Sequence, residues 1–496
     1  MTQSRRDKIL YEVEGFDAFV RTTMREWNVP GLAIGIVKDD KCIYAQGFGK
    51  RNIAQDLDVT ARTLFAIASC TKSFTAAALG ILVDEKQLDW DTPIKHYLPQ
   101  FKMYDAFATE RITVRDLLTH RSGLPRHELV GYNSSYSRKE LVERLQYLEP
   151  NKDLRCEWQY SNLMYMLAGY LCEAITGQRW EDFVQERIFM PLGMMNSNFS
   201  ARISQCSNDF ALPYKEVNGE MQEGEFSQPG ATAPAGNINS NVEEMSQWLL
   251  FQLNKGKHGE LQLLSEAQMA QIHRPHMPLP DIIERINGLS FASYAFGWHI
   301  GCYKGHRVLQ HAGGVEGFSA LMTCLPDDSL GIVVLTNKDR SYAPVPITLT
   351  ACDRLLGLKE EPWNERIKQG YEYVMKALMA QEQPSIERVP DTQPSHPLAA
   401  YTGDFVHPAY GIVSIQLEGE RLTFSYNART FFLAHYHFDT FQIEGVIDLE
   451  LPITTYLSFG TNLEGEIESL ATKLEPTVKE IVFTRVSEQE QQKKVR

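Results

Sequence analysis

Ser69-Cys70-Thr71-Lys72-Ser73-Phe74 is the stretch on which the reading of this chain turns. A helix places residues i and i+3 on one face, so a serine and a lysine at that spacing can share a proton. Neutral lysine can take the proton from the hydroxyl, and the alkoxide can then attack a carbonyl. Phe74, Ala77, Ala78, Ile81 and Leu82 recur at helical spacing, which predicts an apolar-faced helix over 72–83 with Ser69 at or just before its first turn. The N-terminal end of a helix carries unpaired N–H groups and partial positive charge, which favour the oxyanion made by such an attack. A serine there is equally an ordinary helix N-cap. About one Ser-x-x-Lys is expected by chance in a chain this long, so the neighbours must decide.

Two further elements follow in order. Tyr160-Ser161-Asn162 stands just before a predicted helix whose apolar face is Leu163, Met166, Leu167, Tyr170, Leu171 and Ala174, closed by Gly177. His311-Ala312-Gly313-Gly314 precedes an apolar stretch at 318–325, the turn Pro326-Asp327-Asp328-Ser329, and a second apolar stretch at 332–335. That pattern is a β-hairpin, so the third element sits at the start of a strand.

The order Ser-x-x-Lys, Tyr-x-Asn, His-x-Gly resembles the penicillin-recognising serine hydrolases, a serine β-lactamase-like family. The Tyr-x-Asn form is similar to the branch with class C β-lactamases, D-alanyl-D-alanine carboxypeptidases, D-aminopeptidases (peptidase S12) and family VIII esterases. Leu117-Leu118-Thr119-His120-Arg121-Ser122-Gly123-Leu124, Pro191-Leu192-Gly193-Met194 and Phe296-Gly297-Trp298 look like recurrent patterns of that branch. The resemblance spans roughly residues 10–358. It implies Ser69 as nucleophile, Lys72 as its base with a pKa lowered by burial, and Tyr160 as the group that protonates the leaving group and activates water. Either Lys72 or Tyr160 can be the kinetic base. It further implies an oxyanion hole from the backbone N–H groups of Ser69 and Gly314. Gly313 and Gly314 also fit a strand edge that a substrate approaches closely. Asn162 is expected to donate to the substrate or orient Lys72, and His311 to hydrogen-bond Tyr160 or the substrate.

One departure narrows the substrate. β-Lactam-binding members of this family typically carry Lys-Thr/Ser-Gly where this chain has His311-Ala312-Gly313. A cation and a hydroxyl suited to a carboxylate are replaced by an imidazole and a methyl. Charge-assisted bonds are stronger than neutral ones, so recognition of penicillins and of free D-Ala carboxylates should be weak. Two functional classes follow. One is an esterase or D-aminopeptidase-like hydrolase of small esters, D-amino-acid amides or short peptides. The other is an acyl-accepting penicillin-binding or sensor protein that deacylates slowly.

Other chemistries find no footing. The chain has no Gly-x-Ser-x-Gly, His-Glu-x-x-His, Cys-x-x-Cys or Walker loop. His435 and His437 share one face of a predicted strand, but two histidines without a third ligand rarely bind metal, so no metal and no cofactor are expected. His120 and His127 are read as structural. Trp158 and Trp298 either wall the acyl pocket or belong to the core, and Cys70 is read as a small buried filler. The net charge of −14 argues against nucleic acid or an anionic membrane as partner. Eight cysteines without framework spacing, and no apolar signal or membrane-spanning run, point to the cytoplasm.

The fold class expected is α+β. An N-terminal hairpin (32–37 and 42–48 around Lys38-Asp39-Asp40-Lys41) joins the C-terminal hairpin in one antiparallel sheet, flanked by helices and a helical subdomain. Residues 1–358 form the hydrolase domain and 359–397 a charged, partly helical linker. Residues 398–486 form a small antiparallel barrel similar to a lipocalin-like tail domain, and 487–496 a disordered tail. Strands are predicted at 412–417, 422–426, 431–438, 455–459 and 480–486. The barrel is read either as a cap on the active site that limits substrate size or as a module for stability or homo-oligomerisation.

Overall fold

The computed structural model describes residues 15–227, 230–280, 290–380, 386–445 and 454–486. The expected tail at 487–496 lies outside these residues.

Helix α1 (Phe16–Glu26) leads into strands β1 (Gly31–Lys38) and β2 (Lys41–Asn52). Asp39 and Asp40 both have positive φ, 49° and 64°, which closes the hairpin in the left-handed sense that matches strand twist. Then come α2 (Thr71–Asp84), α3 (Asn162–Thr176) and α4 (Val242–Leu253). Strands β3 (Ser290–Tyr294), β4 (His299–Tyr303), β5 (His306–Val315), β6 (Phe318–Leu325) and β7 (Leu330–Thr336) complete the sheet, followed by α5 (Pro344–Leu355) and α6 (Trp363–Ala380). The antiparallel order is β3-β4-β5-β6-β7-β1-β2, with short strands Met277–Pro278 and Leu57–Asp58 at its edges. The N-terminal hairpin thus joins the C-terminal one through β1 and β7, in the register Leu32↔Thr336 to Lys38↔Leu330.

The continuous apolar runs of β1 and β7 are explained by cover on both faces. On β7, Ile332 and Val334 pack with Phe16, Ile347 and Trp363, while Val333 and Leu335 pack with Phe74 and Trp248. Helix α2 departs from the expected one-sided pattern. Thr71 through Leu82 are buried on every face, because α2 runs through the interior. Its small residues (Ala76, Ala77, Ala78, Gly80) allow that close packing.

The stretch read as a linker contains α6, whose Trp363 is 2% exposed and donates its indole N–H to Asp353 Oδ2 at 2.8 Å. Beyond it eight strands close into a barrel: β8 (Gly403–His407), β9 (Gly411–Glu418), β10 (Arg421–Tyr426), β11 (Arg429–His437), β12 (Thr440–Ile443), β13 (Tyr456–Thr461), β14 (Ile467–Thr472) and β15 (Ile481–Arg485). β8 pairs with β15 to complete the ring. Phe405, Val413, Ile415, Phe424, Phe441, Leu457, Leu470 and Phe483 fill it as a packed core. Strands β8, β12 and β14 were not expected. They are short, and Ile467-Glu468-Ser469-Leu470-Ala471-Thr472 carries few β-formers.

Candidate active site

Ser69 is the middle residue of a 3₁₀ turn, Ala68–Cys70, that runs directly into α2. Ala68 holds a positive φ of 45°. A non-glycine residue in that region costs on the order of 1–3 kcal/mol and recurs at functional sites. The hydroxyl of Ser69 does not cap the helix, since no side chain bonds its first turn. Instead Ser69 Oγ lies 3.0 Å from Lys72 Nζ and accepts from the Tyr160 hydroxyl at 2.8 Å. Neighbouring Cys70 is 1% exposed, and burial pushes its thiol up to about 12, leaving an inert filler.

Lys72 is fully buried. Its Nζ donates to Asn162 Oδ1 and to the Ala235 carbonyl, both at 2.8 Å. Neither oxygen can donate in return. Neutral amine has two N–H bonds and one lone pair. With two Nζ positions committed to these acceptors, the third faces Ser69 Oγ, an N–H in the ammonium and the lone pair once the amine is neutral. The Asn162 amide is held in this orientation because its Nδ2 donates to Glu128 Oε1 at 2.8 Å.

Tyr160 precedes α3 in extended chain. His120, itself at φ 55°, pins that chain from both sides: its carbonyl accepts Gln159 N–H at 2.7 Å and its Nδ1 accepts Ser161 N–H at 3.1 Å. Burial, then the Lys72 charge, pushes the His120 pKa well below the ordinary value, so the ring is a neutral acceptor. Its structural role therefore consists in aiming Tyr160. Lys72 Nζ and Arg126 Cζ lie 4.7 and 5.5 Å from the Tyr160 ring centre.

His311 stands apart from its expected role. Its Nδ1 lies 2.6 Å from the Ala312 carbonyl and must donate to it, which leaves Nε2 to accept the Tyr294 hydroxyl at 2.9 Å. Both ring nitrogens are thus engaged, and neither with the Tyr160 hydroxyl. Burial, with His299 and Lys72 nearby, lowers its pKa well below normal. The imidazole backs the Tyr160 ring at 6.3 Å between centres.

The two glycines after it differ in kind. Strand β4 pairs only with residues 306–310 of β5, so 311–315 have β6 on one side and the Ser69 turn on the other. A Cβ at Gly313 would overlap the Ile67 carbonyl oxygen and come within 3.1 Å of Ser69 N, whereas one at Gly314 meets nothing within 4 Å. Gly313 brings the strand against the nucleophile's turn, and Gly314 opens onto the pocket. That pocket is a cavity of about 260 Å³ whose wall includes Ser69, Asn162 and Gly314, with Glu128, Glu316, Asp339 and Arg340 as its charged groups.

Glu128 was not singled out from sequence. It lies shortly after the Leu117–Leu124 motif, and only its spatial bond to Asn162 distinguishes it from any loop carboxylate. Trp158 lies behind Tyr160, 6.0 Å between ring centres, and Trp298 is fully buried core. Neither lines the cavity. Among the described residues no group of three or more His, Cys, Asp or Glu is placed to hold a metal ion.

A family model described as Beta-lactamase matches residues 16–351. The chain belongs to the beta-lactamase family. It is a serine hydrolase of that family by descent, with the antiparallel sheet and helical layers the motifs implied. A second model, described as a domain of unknown function (DUF3471), matches residues 387–485, the barrel. Among its relatives, an unguisins hydrolase from Aspergillus campestris is 29% identical over 436 residues, covering 82% of this chain and 78% of that protein. The octameric penicillin-binding protein homologue from Pyrococcus abyssi superposes with a TM-score of 0.62 at 22% identity, over 95% of this chain and all of that one. The D-amino acid amidase of Ochrobactrum anthropi SV3 gives 0.57 at 22% identity, over 70% and 98%. These structures share the fold. Among the described residues no helix is long and apolar enough to cross a membrane.

Proposed function

We propose that this chain hydrolyses small esters or the amides and short peptides of D-amino acids through a Ser69 acyl-enzyme. The observation that carries the reading is the pair of acceptors on Lys72, Asn162 Oδ1 and the Ala235 carbonyl, which leave the third Nζ position, the lone pair of the neutral amine, toward Ser69 Oγ. Lys72 takes the Ser69 proton as Oγ attacks the carbonyl carbon. The tetrahedral oxyanion forms beside the N–H groups of Ser69 and Gly314, where each such donor contributes about 3–4 kcal/mol to the transition state. Tyr160, bonded to the same Oγ, delivers a proton to the leaving group. It then withdraws one from the water that attacks the acyl carbonyl, and Lys72 returns its proton to Ser69 Oγ as the carbonyl–Oγ bond breaks and the acid leaves.

The charge of the pocket supports the substrate class. Its wall carries Glu128, Glu316 and Asp339 against Arg340, and His311 is neutral where a carboxylate-binding cation would stand. Each of these carboxylates is already paired, Glu128 with Arg126, Glu316 with Lys215 and Asp339 with Arg340, so the wall suits a neutral or ammonium-bearing substrate better than one bearing a carboxylate. The name of one relative, an unguisins hydrolase, agrees with hydrolysis, and that of a structural neighbour, a D-amino acid amidase, with amide substrates.

The test is a panel of p-nitrophenyl esters, D-amino-acid anilides and a chromogenic cephalosporin, run on wild type and Ser69→Ala. Steady turnover of esters or anilides, lost in Ser69→Ala and slow or absent on the cephalosporin, is the expected result. A stoichiometric burst without turnover would replace this reading by the slowly deacylating acceptor. Activity surviving Ser69→Ala would overturn it.

A further inference from the structure

The barrel does not meet the hydrolase domain at random. It grips, from behind, the loop whose front face forms the cavity wall. Glu128, Leu129, Gly131, Tyr132 and Asn133 line the cavity beside Ser69. On the barrel side, the tip of the β10–β11 hairpin (Asn427 and Ala428, φ 45° and 61°) presents its amide to this loop. Asn427 Nδ2 donates to the carbonyls of Leu129 at 2.6 Å and Tyr132 at 3.1 Å, and the Tyr426 hydroxyl donates to Leu129 O at 3.0 Å.

The tightest node is His127, 1% exposed, at φ 43°. Its backbone N–H donates to Glu475 Oε2 at 2.9 Å. Its Nε2 lies 3.0 Å from the Glu149 carbonyl, which can only accept, so Nε2 carries the proton. Nδ1 therefore accepts from the Tyr410 hydroxyl at 2.8 Å. Tyr410 and Glu475 both belong to the barrel domain and are 1% and 4% exposed. Thr477 fixes the second oxygen of Glu475 through its N–H and hydroxyl, at 3.2 and 2.7 Å. Burying a carboxylate and a phenol costs several kcal/mol unless their bonds are made. These two make theirs with a residue held in the left-handed region, a conformation a histidine does not hold for nothing. The next residue is Glu128, which fixes the Asn162 amide and through it Lys72.

We propose that the barrel is a positioning element for the active site: Tyr410 and Glu475 lock His127, which aims Glu128 at Asn162 and so sets Lys72 on Ser69. This assigns a task to the domain of unknown function, and it rests on the Ser69 chemistry proposed above. Tyr410, Glu475, His127 and Glu128 are positioning residues; none takes or gives a proton in the reaction. In place of a cap over the pocket mouth, the barrel acts as the rear support of one pocket wall.

The test uses the full chain with Tyr410→Phe, Glu475→Ala, Glu475→Gln and, as a stability control, Leu470→Ala in the barrel core. Rates are taken per site titrated with a fluorophosphonate, on whichever substrate of the panel turns over best. Tyr410→Phe and Glu475→Ala should each lower kcat about tenfold or more with KM within threefold. Glu475→Gln, whose amide oxygen still accepts the His127 N–H, should return to within threefold of wild type. Leu470→Ala should lower Tm and leave kcat per titrated site unchanged. Amide exchange of peptides covering 126–133 gives a readout independent of turnover, and should quicken in Tyr410→Phe and Glu475→Ala and not in Glu475→Gln. Unchanged kcat and unchanged exchange in Tyr410→Phe and Glu475→Ala would overturn the inference. So would a kcat loss in Leu470→Ala equal to theirs, since stability would then account for everything. Activity in Ser69→Ala would instead strike the proposed chemistry, while the exchange arm would still decide on the clamp.

Discussion

Replacing Gly313 by alanine should disable this site, while the same change one residue later should not. A methyl at 313 would overlap the Ile67 carbonyl oxygen and stand 3.1 Å from Ser69 N, inside the roughly 3.5–4.0 Å optimum for non-bonded heavy atoms. Both atoms belong to the turn that carries the nucleophile, and β5 is held on its other side by β6 through Gly313↔Ala320. The strand cannot retreat without breaking that ladder, so the turn must move by about 1 Å. A displacement of that size at a reacting centre costs about 10²-fold. A methyl at 314 meets nothing within 4 Å and only narrows the cavity. Gly313→Ala should therefore lower kcat/KM for an activated ester about 100-fold, and Gly314→Ala less than tenfold for the smallest acyl group. The loss for Gly314→Ala should grow with acyl size. Active-site titration would show that Ser69 is still present in both. A Gly313→Ala enzyme with wild-type kcat/KM would refute the claim that strand and turn are locked together here.

Tyr160→Phe removes the 2.8 Å hydroxyl bond to Ser69 and should cut kcat by about 10²–10⁴-fold, with little change in KM; steady-state kinetics on an ester decide it. Asp116 is fully buried, and although burial alone would raise its pKa, Arg155, Arg121 and Thr113 hold it below the ordinary 3.8. Asp116→Ala should cost about 1–3 kcal/mol in urea unfolding through the lost bonds to Thr113, Arg121 and Arg155, whose guanidinium groups can still reach water. A depressed carboxyl stabilises above its unfolded value, so in wild type this contribution should hold at neutral pH and fail only as pH falls below about 3.8. The histidines fail earlier. Burial, then Arg307, pushes His273 down to about 3 from 6.5, and burial holds His120 and His311 well below normal. Below pH 6.5 the unfolded chain gains protons these rings cannot take. Each ring should then cost about 1.4 kcal/mol per pH unit; for His273 this continues to about pH 3. Tm should be flat above pH 7 and fall steeply from 6.5 downward, less steeply in His273→Gln. A Tm unchanged between pH 7 and 5 would contradict the burial of these rings.

How much could be read in advance depended on the range of the interactions involved. Ser69 and Lys72 are three residues apart on one helix, so their contact follows from local geometry. The hairpins of the sheet were legible because turn residues and apolar runs are local signals, and β1 and β7 pair as expected. Helix α2 read as one-sided because periodicity reports an apolar face and is silent on a second layer of cover. Barrel strands β8 and β12 were missed because five and four residues are too few to show a pattern, and β14 because it carries few β-formers; ring closure supplies their pairing. His311 illustrates a different limit. Its position beside the site was legible, but the hydroxyl of Tyr294 and the carbonyl of Ala312 claim its nitrogens, and nothing in the motif announces that.

From sequence alone came Ser69 and Lys72 as candidate nucleophile and base, Tyr160 as their proposed partner, the family and the α+β layout, because these rest on short spacings and on ordered motifs. Tertiary structure decided what those groups face. It placed Lys72 Nζ between Asn162, Ala235 and Ser69, distinguished the buttressing Gly313 from the open Gly314, and bound His311 to Tyr294 and the Ala312 carbonyl. It also tied Glu128 through His127 to Tyr410 and Glu475, residues more than 280 positions away in the chain. Hydrogen-bond direction and close packing are properties of atoms brought together by folding, and no spacing along the chain encodes them.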